Sequence, residues 1–411
     1  NWQVWHNSGL IALGVALQND SIINVAINDP ECGYHAQMER YVMNDGWWGE
    51  GSPTYHYYPL RAMLLSADAV RCRNINLYDR KLYKMLVAPA SGVYADLYFP
   101  AHNDGWYGES LIAQVSLYEI ACQRYNNDPF FLSVLQQCYR YTDRNFGEAL
   151  QNNIEIPQVT SMETWPSVHF KETGYTVLRS GTKTVVMKYG PHGGGHGHPD
   201  KLSISIHDGE KEIVSDMGTC AYGVPAFTKW YRKTLSHSTL TVDAKDQKES
   251  TGKLLAFKAY KDGGEVSAEA PDVYSGVTME RKLILKKNKL TDILTARSDE
   301  QHLYDYVLIL TEKPVFSQTG EVIILNDSPS YNYIKNAIVR KQSSPLSCKI
   351  GKAYMKIEVS EGQEFEVITG EAPGIPPGNG SVLSKYDSPF CYPLIVRVKD
   401  KKLRIKTEWK F

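Results

Sequence analysis

The stretch Pro191–Asp243 constrains the fold of this chain more than any other. It begins with the glycine-rich run PHGGGHGHPD and continues into Leu202–His207, where aliphatic and polar residues alternate. Such alternation predicts a half-buried β-strand. The dipeptide Asp208-Gly209 follows and is a hairpin signal, so Lys211–Asp216 is expected to return beside the first strand. The pattern predicts antiparallel β-structure next to a loop rich in glycine and histidine.

Three side chains of this stretch form a plausible zinc set: His198, Asp216 and His237. Two imidazoles and one carboxylate suit zinc and leave a fourth position for water or another group. His196 lies two residues before His198, but the flanking glycines disfavour a regular strand there. The two rings could then diverge, with His196 toward a substrate and His198 toward a metal. For so short a motif the alternative is a glycine-rich turn with surface histidines.

Length, charge and cysteine content exclude several classes of protein. A chain of 411 residues is too long for one ordinary core, so two or more domains are expected. The net charge of −1 gives no global field to attract nucleic acid or a membrane. Seven scattered cysteines without CxxC spacing argue against a disulfide scaffold or a cysteine zinc site. No run of about 18 apolar residues is present, so no membrane span is expected.

Residues 1–150 are predicted to be helical. Apolar residues recur at helical spacing in four segments, 2–17, 58–70, 110–124 and 129–139. The sequence NDGWWGE at 44–50 recurs as NDGWYGE at 103–109, and each copy precedes a predicted helix. A repeat of this length is typical of an array of helical hairpins.

Residues 151–411 are predicted to be a large antiparallel β-sandwich. Helical periodicity fades between 145 and 167, where Pro157 and Pro166 occur, and many short strands with Gly, Asn and Asp turns follow from Thr173. A small C-terminal sheet subdomain is expected from about residue 310. Two lysine-rich runs, at 282–289 and 399–402, could hold a sulfated glycan but are more typical of solvated strand ends and turns.

The sequence resembles the C-terminal region of heparinase II/III-type polysaccharide lyases, which include oligoalginate lyases. The matching segments are GGGHGHPDKLS at 193–203, VSDMGTCAYG at 214–223 and WYRKTLSHSTLTVD at 230–243, with Ser238 where the family usually has Asn. The resemblance implies an α+β multidomain protein in which 1–150 is the latter part of an α/α toroid and 151–411 the antiparallel β-sandwich. It also implies a largely structural zinc at His198, Asp216 and His237. Because the chain begins at Asn1 without a methionine, earlier helices and the true N-terminus are expected to be missing.

The resemblance also implies the residues of a β-elimination site. Tyr55 matches the family's catalytic tyrosine, ahead of its neighbours Tyr57 and Tyr58, and is assigned as base and/or acid, with His196 as its partner. Asn1 matches an asparagine that contacts the substrate carboxylate, although Trp2 replaces the histidine that often follows it. His6 is the fallback for that histidine and Tyr222 is a weaker fourth member. Substrate contacts are assigned to Trp47, Trp48, Glu50, Trp106 and Arg232.

The predicted activity is cleavage of a uronic-acid-containing glycan by removal of the C5 proton, which leaves an unsaturated uronate. Such a site must neutralise the carboxylate, supply a base and protonate the departing oxygen. The expected partner is an acidic polysaccharide or oligosaccharide, with no nucleic acid and no membrane span, and with a homodimer left open. The resemblance implies a periplasmic or secreted location. Two alternatives stay open: a catalytically silent glycan-binding protein and a metal-dependent glycan hydrolase.

Overall fold

The structure, a computed structural model, describes residues 1–145, 147, 154–157, 165–360, 362–375 and 389–411. This described part contains seven α-helices followed by seventeen β-strands, which confirms the predicted α+β class. The chain divides into two compact units. The helical unit comprises Asn1–Val93, Leu97–Phe99 and Glu109–Glu163, and the sheet unit comprises Tyr94–Asp96, Pro100–Gly108 and Thr164–Phe411.

The helical unit contains seven described helices, three of which begin at a residue whose side chain caps the helix. Its helices are α1 (Trp2–Ala16), α2 (Asp20–Asn28), α3 (Tyr34–Tyr41), α4 (Pro53–Ala69), α5 (Arg80–Gly92), α6 (Val115–Arg124) and α7 (Pro129–Cys138). Asn19, Asp79 and Asp128 start α2, α5 and α7 by accepting hydrogen bonds from backbone N–H groups of the first turn. The four helical segments expected from periodicity are confirmed as α1, α4, α6 and α7, whereas α2, α3 and α5 were not predicted.

The strands of the sheet unit all pair in the antiparallel sense within the described part of the chain. They are β1 (Val168–Phe170), β2 (Tyr175–Ser180), β3 (Lys183–Lys188), β4 (Ser203–His207), β5 (Glu212–Val214), β6 (Leu240–Val242), β7 (Lys253–Tyr260), β8 (Gly263–Glu269), β9 (Thr278–Lys286), β10 (Lys289–Leu310), β11 (Val315–Phe316), β12 (Glu321–Val322), β13 (Lys335–Gln342), β14 (Leu346–Ile350), β15 (Ala353–Val359), β16 (Phe365–Pro373) and β17 (Phe390–Lys410). Strands β1 to β5 pair in sequence order, as β7 to β10 do.

Two long strands, β10 and β17, carry the rest of the sheet. They pair with each other along their whole length, with a register shift between Arg297 and His302. The first half of β10 pairs with β9 and its second half with β6, so the two sets of strands share one continuous pair. Both sets bury aliphatic side chains in a single core, which includes Ile204 and Leu283. This core fixes the strands that hold the loops described below.

A buried ion pair ties the two sets together. Arg281 in β9 donates to both carboxylate oxygens of Asp292 in β10, at 2.8 and 2.6 Å. Its Nη1 also donates to the carbonyls of Leu202 and Ser238, at 2.8 and 2.6 Å. A buried charge must be paired and fully hydrogen-bonded to be tolerated, and these contacts meet that condition.

The predicted domain boundary at 150/151 lies outside the described residues, and the separate C-terminal subdomain from about 310 stays a prediction. Among the described residues, no helix combines the length and the apolar character that crossing a membrane requires.

Candidate functional site

The glycine-rich loop of the sheet unit connects β3 to β4 and holds two histidines in different surroundings. Gly194–His196 forms one short 3₁₀ turn, preceded by Gly193 in the left-handed region at φ 89°. Gly197 has no room for a side chain, because a Cβ there would lie 1.8 Å from the carbonyl oxygen of His192. As expected from the glycines, the loop is not a regular strand. The His196 side chain is 25% exposed, and the His198 side chain is fully buried.

Asp104 joins these two imidazoles. Its Oδ2 lies 2.9 Å from Nδ1 of His196, and its Oδ1 lies 3.0 Å from Nε2 of His198. The hydroxyls of Thr219 and Tyr222 donate to the same carboxylate, each at 3.3 Å. Burial opposes ionisation of Asp104, but the hydrogen bonds from His198 and His196 outweigh it and lower its pKa. The site therefore contains a buried carboxylate that orients both histidines.

Tyr222 and Arg232 complete the exposed side of this cluster. The Tyr222 hydroxyl lies 3.3 Å from Nδ1 of His196, and the two rings stack with centroids 6.4 Å apart. Tyr222 is 53% exposed. Arg232 donates from Nη2 to the carbonyl of Gly197 at 2.8 Å, and its guanidinium lies over the Phe227 ring at 5.4 Å. The Tyr222 phenol thus lies next to the His196 imidazole, and the Arg232 guanidinium is hydrogen-bonded to the residue that follows His196.

Behind this cluster lies the predicted metal set, which the structure brings together. Oδ2 of Asp216 lies 3.1 Å from Nδ1 of His237, and the rings of His198 and His237 have centroids 5.2 Å apart. The structure adds Asp200, because ligand atoms of Asp200, Asp216 and His237 all lie within 4.8 Å of one another. All four side chains are buried. The arrangement offers two nitrogen and two oxygen ligands from three segments of the chain.

The unpartnered atoms of this set fit a cation. Nδ1 of His198, Nε2 of His237 and Oδ1 of Asp200 are buried without a hydrogen-bond partner in the described part of the chain. Buried polar atoms normally find a partner, and these three are all lone-pair donors to metals. Burial lowers the pKa of His198 to about 4, so its ring is neutral and able to ligate. Burial would raise the pKa of Asp216, but His237 and His102 hold it well below its usual value.

A second group of charges supports Asp200. Lys188 donates from Nζ to Oδ2 of Asp200 at 2.6 Å and also to the side-chain oxygen of Asn103. Asn103 accepts in addition from the backbone N–H of His198, at 3.3 Å. Lys201 lies 3.6 Å from Oδ1 of Asp200, and burial lowers the Lys201 pKa to about 8. These contacts hold the loop that carries His198 against β3.

The helical unit contains the other predicted residues. Asn1 donates from Nδ2 to Oε2 of Glu50 at 2.9 Å, and the Trp48 indole N–H donates to the same oxygen at 3.0 Å. Trp47 and Trp48 are buried, at 4% and 1% exposure. Their rings pack the loop before α4 and offer little surface to a glycan. The fallback residue, His6, is exposed on α1.

The three tyrosines at the start of α4 have different surroundings. Tyr57 is buried, and its hydroxyl lies 2.8 Å from that of Tyr118. Tyr58 is 43% exposed and packs against Trp5 with ring centroids 5.6 Å apart. Tyr55 is half-buried in the first turn of the helix. Of the three, Tyr55 combines partial exposure with a fixed position near a helix start, as its assignment requires.

Sequence reasoning missed three residues near the site, and it could not predict the surroundings of a fourth, Trp106. Asp104 was visible as part of the repeat, and Asp200 as part of the matching segment at 193–203, but neither was assigned a role. His102 was also missed; its Nδ1 lies 3.8 Å from Oδ2 of Asp216. Trp106, assigned to substrate, is half-buried in the sheet unit two residues after Asp104. Asp200 follows His198 closely in sequence, whereas nothing in the sequence linked the segment that holds His102, Asp104 and Trp106 to the histidines.

The resemblance noted in the sequence is confirmed by a family model. Residues 162–307 match the model described as heparinase II/III-like, C-terminal. This range contains the glycine-rich loop and all four buried metal candidates. Asp104 lies outside it.

Whole-chain comparisons agree with that match. The chain is 25% identical over 354 residues to an alginate lyase of Stenotrophomonas maltophilia, covering 75% of this chain and 47% of the relative. It is 23% identical over 356 residues to an exo-oligoalginate lyase of Saccharophagus degradans, with the same coverage. The crystal structure of heparan sulfate lyase HepC from Pedobacter heparinus superposes with a TM-score of 0.73 at 16% identity, covering 99% of this chain and 59% of HepC. The chain spans about half the length of the curated relatives it matches.

Proposed function

We propose that this chain, which carries a heparinase II/III-like C-terminal domain over residues 162–307, belongs to a polysaccharide lyase that cleaves uronic-acid-containing glycans by β-elimination. The observation that carries the proposal is the trio of His196, Tyr222 and Asp104. An imidazole and a phenol lie 3.3 Å apart on the exposed side of a buried carboxylate. Base and acid groups within reach of one sugar residue are what elimination needs.

The trio supplies a proton acceptor with a defined tautomer. Asp104 accepts from Nδ1 of His196, so the neutral ring carries its basic lone pair on Nε2. In the reaction, the base takes the C5 proton of the uronate, and the C5–H electrons form the C4–C5 double bond. The C4–O bond breaks at the same time or afterwards, and an acid gives its proton to the departing oxygen. The products are an unsaturated uronate and a new hydroxyl end.

Two further roles follow from the same requirements. A phenol with a pKa near 10 can protonate the leaving oxygen at neutral pH, and Tyr222 and Tyr55 are our candidates for that acid. The uronate carboxylate needs a cation or an amide donor as its negative charge grows. Arg232 in the sheet unit and Asn1 in the helical unit are the candidates.

The metal set takes a structural role in this proposal. His198, Asp216 and His237 would hold zinc, and Asp200 is an added candidate ligand. A bound zinc would cross-link the glycine-rich loop to the segments that carry Asp216 and His237, and supplies no step of the elimination. The residues that would hold the zinc then affect His196 only by fixing the position of the loop that carries it.

The substrate class and setting are part of the proposal. The similar proteins are lyases of alginate and of heparan sulfate, two polymers that share uronic acid units and differ in sulfation. We infer that the helices α1 to α7 form part of an incomplete α/α toroid. We also place the protein in the periplasm or outside the cell. Whether it forms a homodimer stays a prediction.

The experiment measures product chemistry across a panel of uronate polymers and oligomers. Wild-type protein should raise ultraviolet absorbance through the conjugated double bond of the product on at least one of them. His196→Ala and Tyr55→Phe should each lower that rate by at least about 100-fold, a size typical of acid–base groups, while circular dichroism stays unchanged. Tyr58→Phe, an exposed neighbour of Tyr55, is the matched control and should keep the wild-type rate.

The other outcomes separate the alternatives. New reducing ends that form together with saturated non-reducing ends, and without a rise in absorbance, would identify a hydrolase. Binding without any product, across the whole panel, would identify a silent glycan-binding protein. Either result would overturn the lyase proposal.

A further inference from the structure

A row of lysines and tyrosines crosses one end of the sheet unit, on strands that the proposed reaction does not use. Cross-strand pairing places Lys286 of β9 opposite Lys289 of β10, and Lys289 opposite Lys410 of β17. Lys410 in turn is opposite Tyr354 of β15, which is opposite Lys349 of β14. Directly opposed residues of an antiparallel sheet project from the same face. Four lysines and one tyrosine therefore form a single row.

A second tyrosine lies at the other end of the row. Gly263 of β8 is paired with Lys286 on one side and with Tyr260 of β7 on the other. Because the glycine has no side chain, Lys286 can reach across it, and its ammonium lies 5.1 Å from the centre of the Tyr260 ring. At the opposite end, the Lys349 ammonium lies 5.8 Å from the centre of the Tyr354 ring. The row thus spans seven strands, or roughly 29 Å at the usual strand spacing.

This arrangement is unfavourable for the protein alone. Like charges directly opposite each other on adjacent strands are destabilising, and the row contains two such pairs in succession. Lys286, Lys289, Lys349 and Lys410 are all exposed, and within the described residues none of them forms an ion pair with a carboxylate. The nearest carboxylate along β17, that of Glu408 two residues before Lys410, has another partner, because it pairs with Lys406 at 2.6 Å.

The middle of the row borders an open groove of about 850 Å³. Lys286, Lys287, Lys289, Lys410 and Tyr260 line it, with Asp262 as its carboxylate. The groove is distinct from the cluster around His196. Arg281 contacts the carbonyl of Ser238 beside His237, and Lys286 lies five residues further along β9, roughly 17 Å away at the usual rise of a strand.

We propose that this row, Lys349–Tyr354–Lys410–Lys289–Lys286–Tyr260, is a second binding site for a linear polyanionic polysaccharide. The ammonium groups on three adjacent strands, with a fourth two strands further on, can pair with the repeated carboxylate or sulfate groups of such a chain. The exposed Tyr354 and the half-buried Tyr260, near opposite ends of the row, add ring surface for contact with sugar rings. The choice of a uronate polymer, rather than another polyanion, rests on the proposed function. The site would hold the polymer close to the enzyme between cleavage events.

The test compares two triple variants with equal loss of charge. The row variant is Lys286→Gln/Lys289→Gln/Lys410→Gln, and the control is Lys399→Gln/Lys401→Gln/Lys402→Gln, which changes the other lysine-rich run. Affinity electrophoresis in gels that contain alginate, heparan sulfate, neutral dextran or duplex DNA gives an apparent affinity for each polymer. A thermal melt of every variant checks folding, and the single variant Lys289→Gln serves if the triple variant does not fold.

We expect the row variant to lose at least five-fold in affinity for one uronate polymer, and the control to stay within two-fold of wild type. Turnover of a short oligouronate should be the same in all three proteins. Equal retardation of the row variant and wild type would overturn the proposal, and tighter binding to DNA than to either uronate polymer would overturn the assignment to a glycan. Row-dependent retardation without turnover of any uronate would leave the site in place and remove the proposed function.

Discussion

Asp104 is the residue on which the candidate site depends most directly. One carboxylate accepts from His196 and from His198 at about equal distances, so it couples the imidazole assigned to the reaction with the one assigned to the metal. The first copy of the repeat has Asp45 at the same position, where it accepts a hydrogen bond from the Trp47 backbone N–H at 3.4 Å. Nearly the same local sequence therefore gives the two aspartates different partners.

We expect Asp104→Asn to lower kcat by about 10- to 100-fold, with KM within about three-fold of wild type, as for other residues that orient a histidine. An amide cannot accept hydrogen bonds at both of its terminal atoms, so one imidazole loses its partner. Steady-state kinetics on the best substrate of the panel measures the effect. Asp45→Asn is the matched control and should leave kcat unchanged. A fall in KM and kcat together, or a similar loss in both variants, would contradict the assigned role of Asp104.

Glu212 makes stability depend on pH. Burial raises its pKa to about 8, against hydrogen bonds from Tyr94 and Ser215 that favour the charged form. The folded protein therefore holds a proton that the unfolded chain, with the usual value of 4.5, releases. Because the folded-state pKa is the higher one, this proton stabilises the fold at low pH, and the stabilisation is lost as pH rises from about 4.5 to 8.

Glu212→Gln should flatten that dependence, because the amide cannot ionise. Urea unfolding of both proteins at several pH values between 5 and 8.5 gives the two curves, and the difference between them should change steadily up to about pH 8 and then level off. The exposed neighbour Glu210, which pairs with Lys352 at 2.7 Å, supplies the control Glu210→Gln. Parallel curves for wild type and Glu212→Gln would show that Glu212 is already ionised in the folded protein.

At the scale of elements, the turn after β5 depends on one glycine, Gly218, which allows two loops of the site to lie close together. Gly218 has φ +61°, and a Cβ on it would lie 2.2 Å from the carbonyl oxygen of Gly105. Its backbone N–H also donates to Oδ1 of Asp216 at 3.0 Å. The glycine therefore lets the loop that carries Asp104 approach the loop that carries Asp216.

Replacing Gly218 by alanine should cost more than left-handed strain alone. Gly181, in the turn between β2 and β3, has a similar φ of +57° with open space around it. We expect Gly181→Ala to lower the unfolding free energy by about 1 kcal/mol, and Gly218→Ala to lower it by about 2 kcal/mol more, because a clash with backbone is added. Chemical denaturation of both variants measures this, and equal losses would show that the loops can separate without cost.

The elements that sequence predicted and those it missed differ in one physical respect. The hairpin of β4 and β5 was predicted because alternation and Asp208-Gly209 are local signals. By contrast, Lys289–Arg297 reads as polar and was not predicted as a strand, yet it forms the first half of β10 because β9 and β17 pair with both of its edges. Likewise, many short strands were predicted in this half, whereas β17 is a single strand of 21 residues, Phe390–Lys410. Pairing between distant segments supplies what local pattern lacks.

The same limit applies to the site at the scale of the whole molecule. His198, Asp216 and His237 could be predicted as a set because a resemblance covers all three, and the structure brings them together. Asp104 could not, since it lies 92 residues before His196 and belongs to a short segment, Pro100–Gly108, that interrupts the helical part of the chain and joins the sheet unit. The residues on either side of Asp104 in the sequence do not indicate that this segment belongs to the sheet unit.

The metal set allows the last prediction, on the stability of the whole protein. His237 is held by Asp216 through Nδ1 at 3.1 Å, and its buried Nε2 lacks a partner within the described residues. His302 offers a close match, since Asp243 holds its Nδ1 at 2.8 Å, but its Nε2 lies 3.1 Å from the Ser298 hydroxyl. His237→Ala should reduce bound zinc from about one per chain to near zero and lower Tm by about 5 °C or more. His302→Ala should keep its zinc.

Chelation distinguishes lost metal from lost packing. If zinc cross-links the loops, a strong chelator should lower the Tm of wild type and of His302→Ala, and should leave the Tm of His237→Ala unchanged, because that variant has no zinc to lose. Metal content by mass spectrometry and Tm by calorimetry are read on the same samples. Full zinc occupancy in His237→Ala would remove His237 from the ligand set. A wild-type Tm that does not respond to complete removal of zinc would show that the metal, though bound, does not hold the fold together.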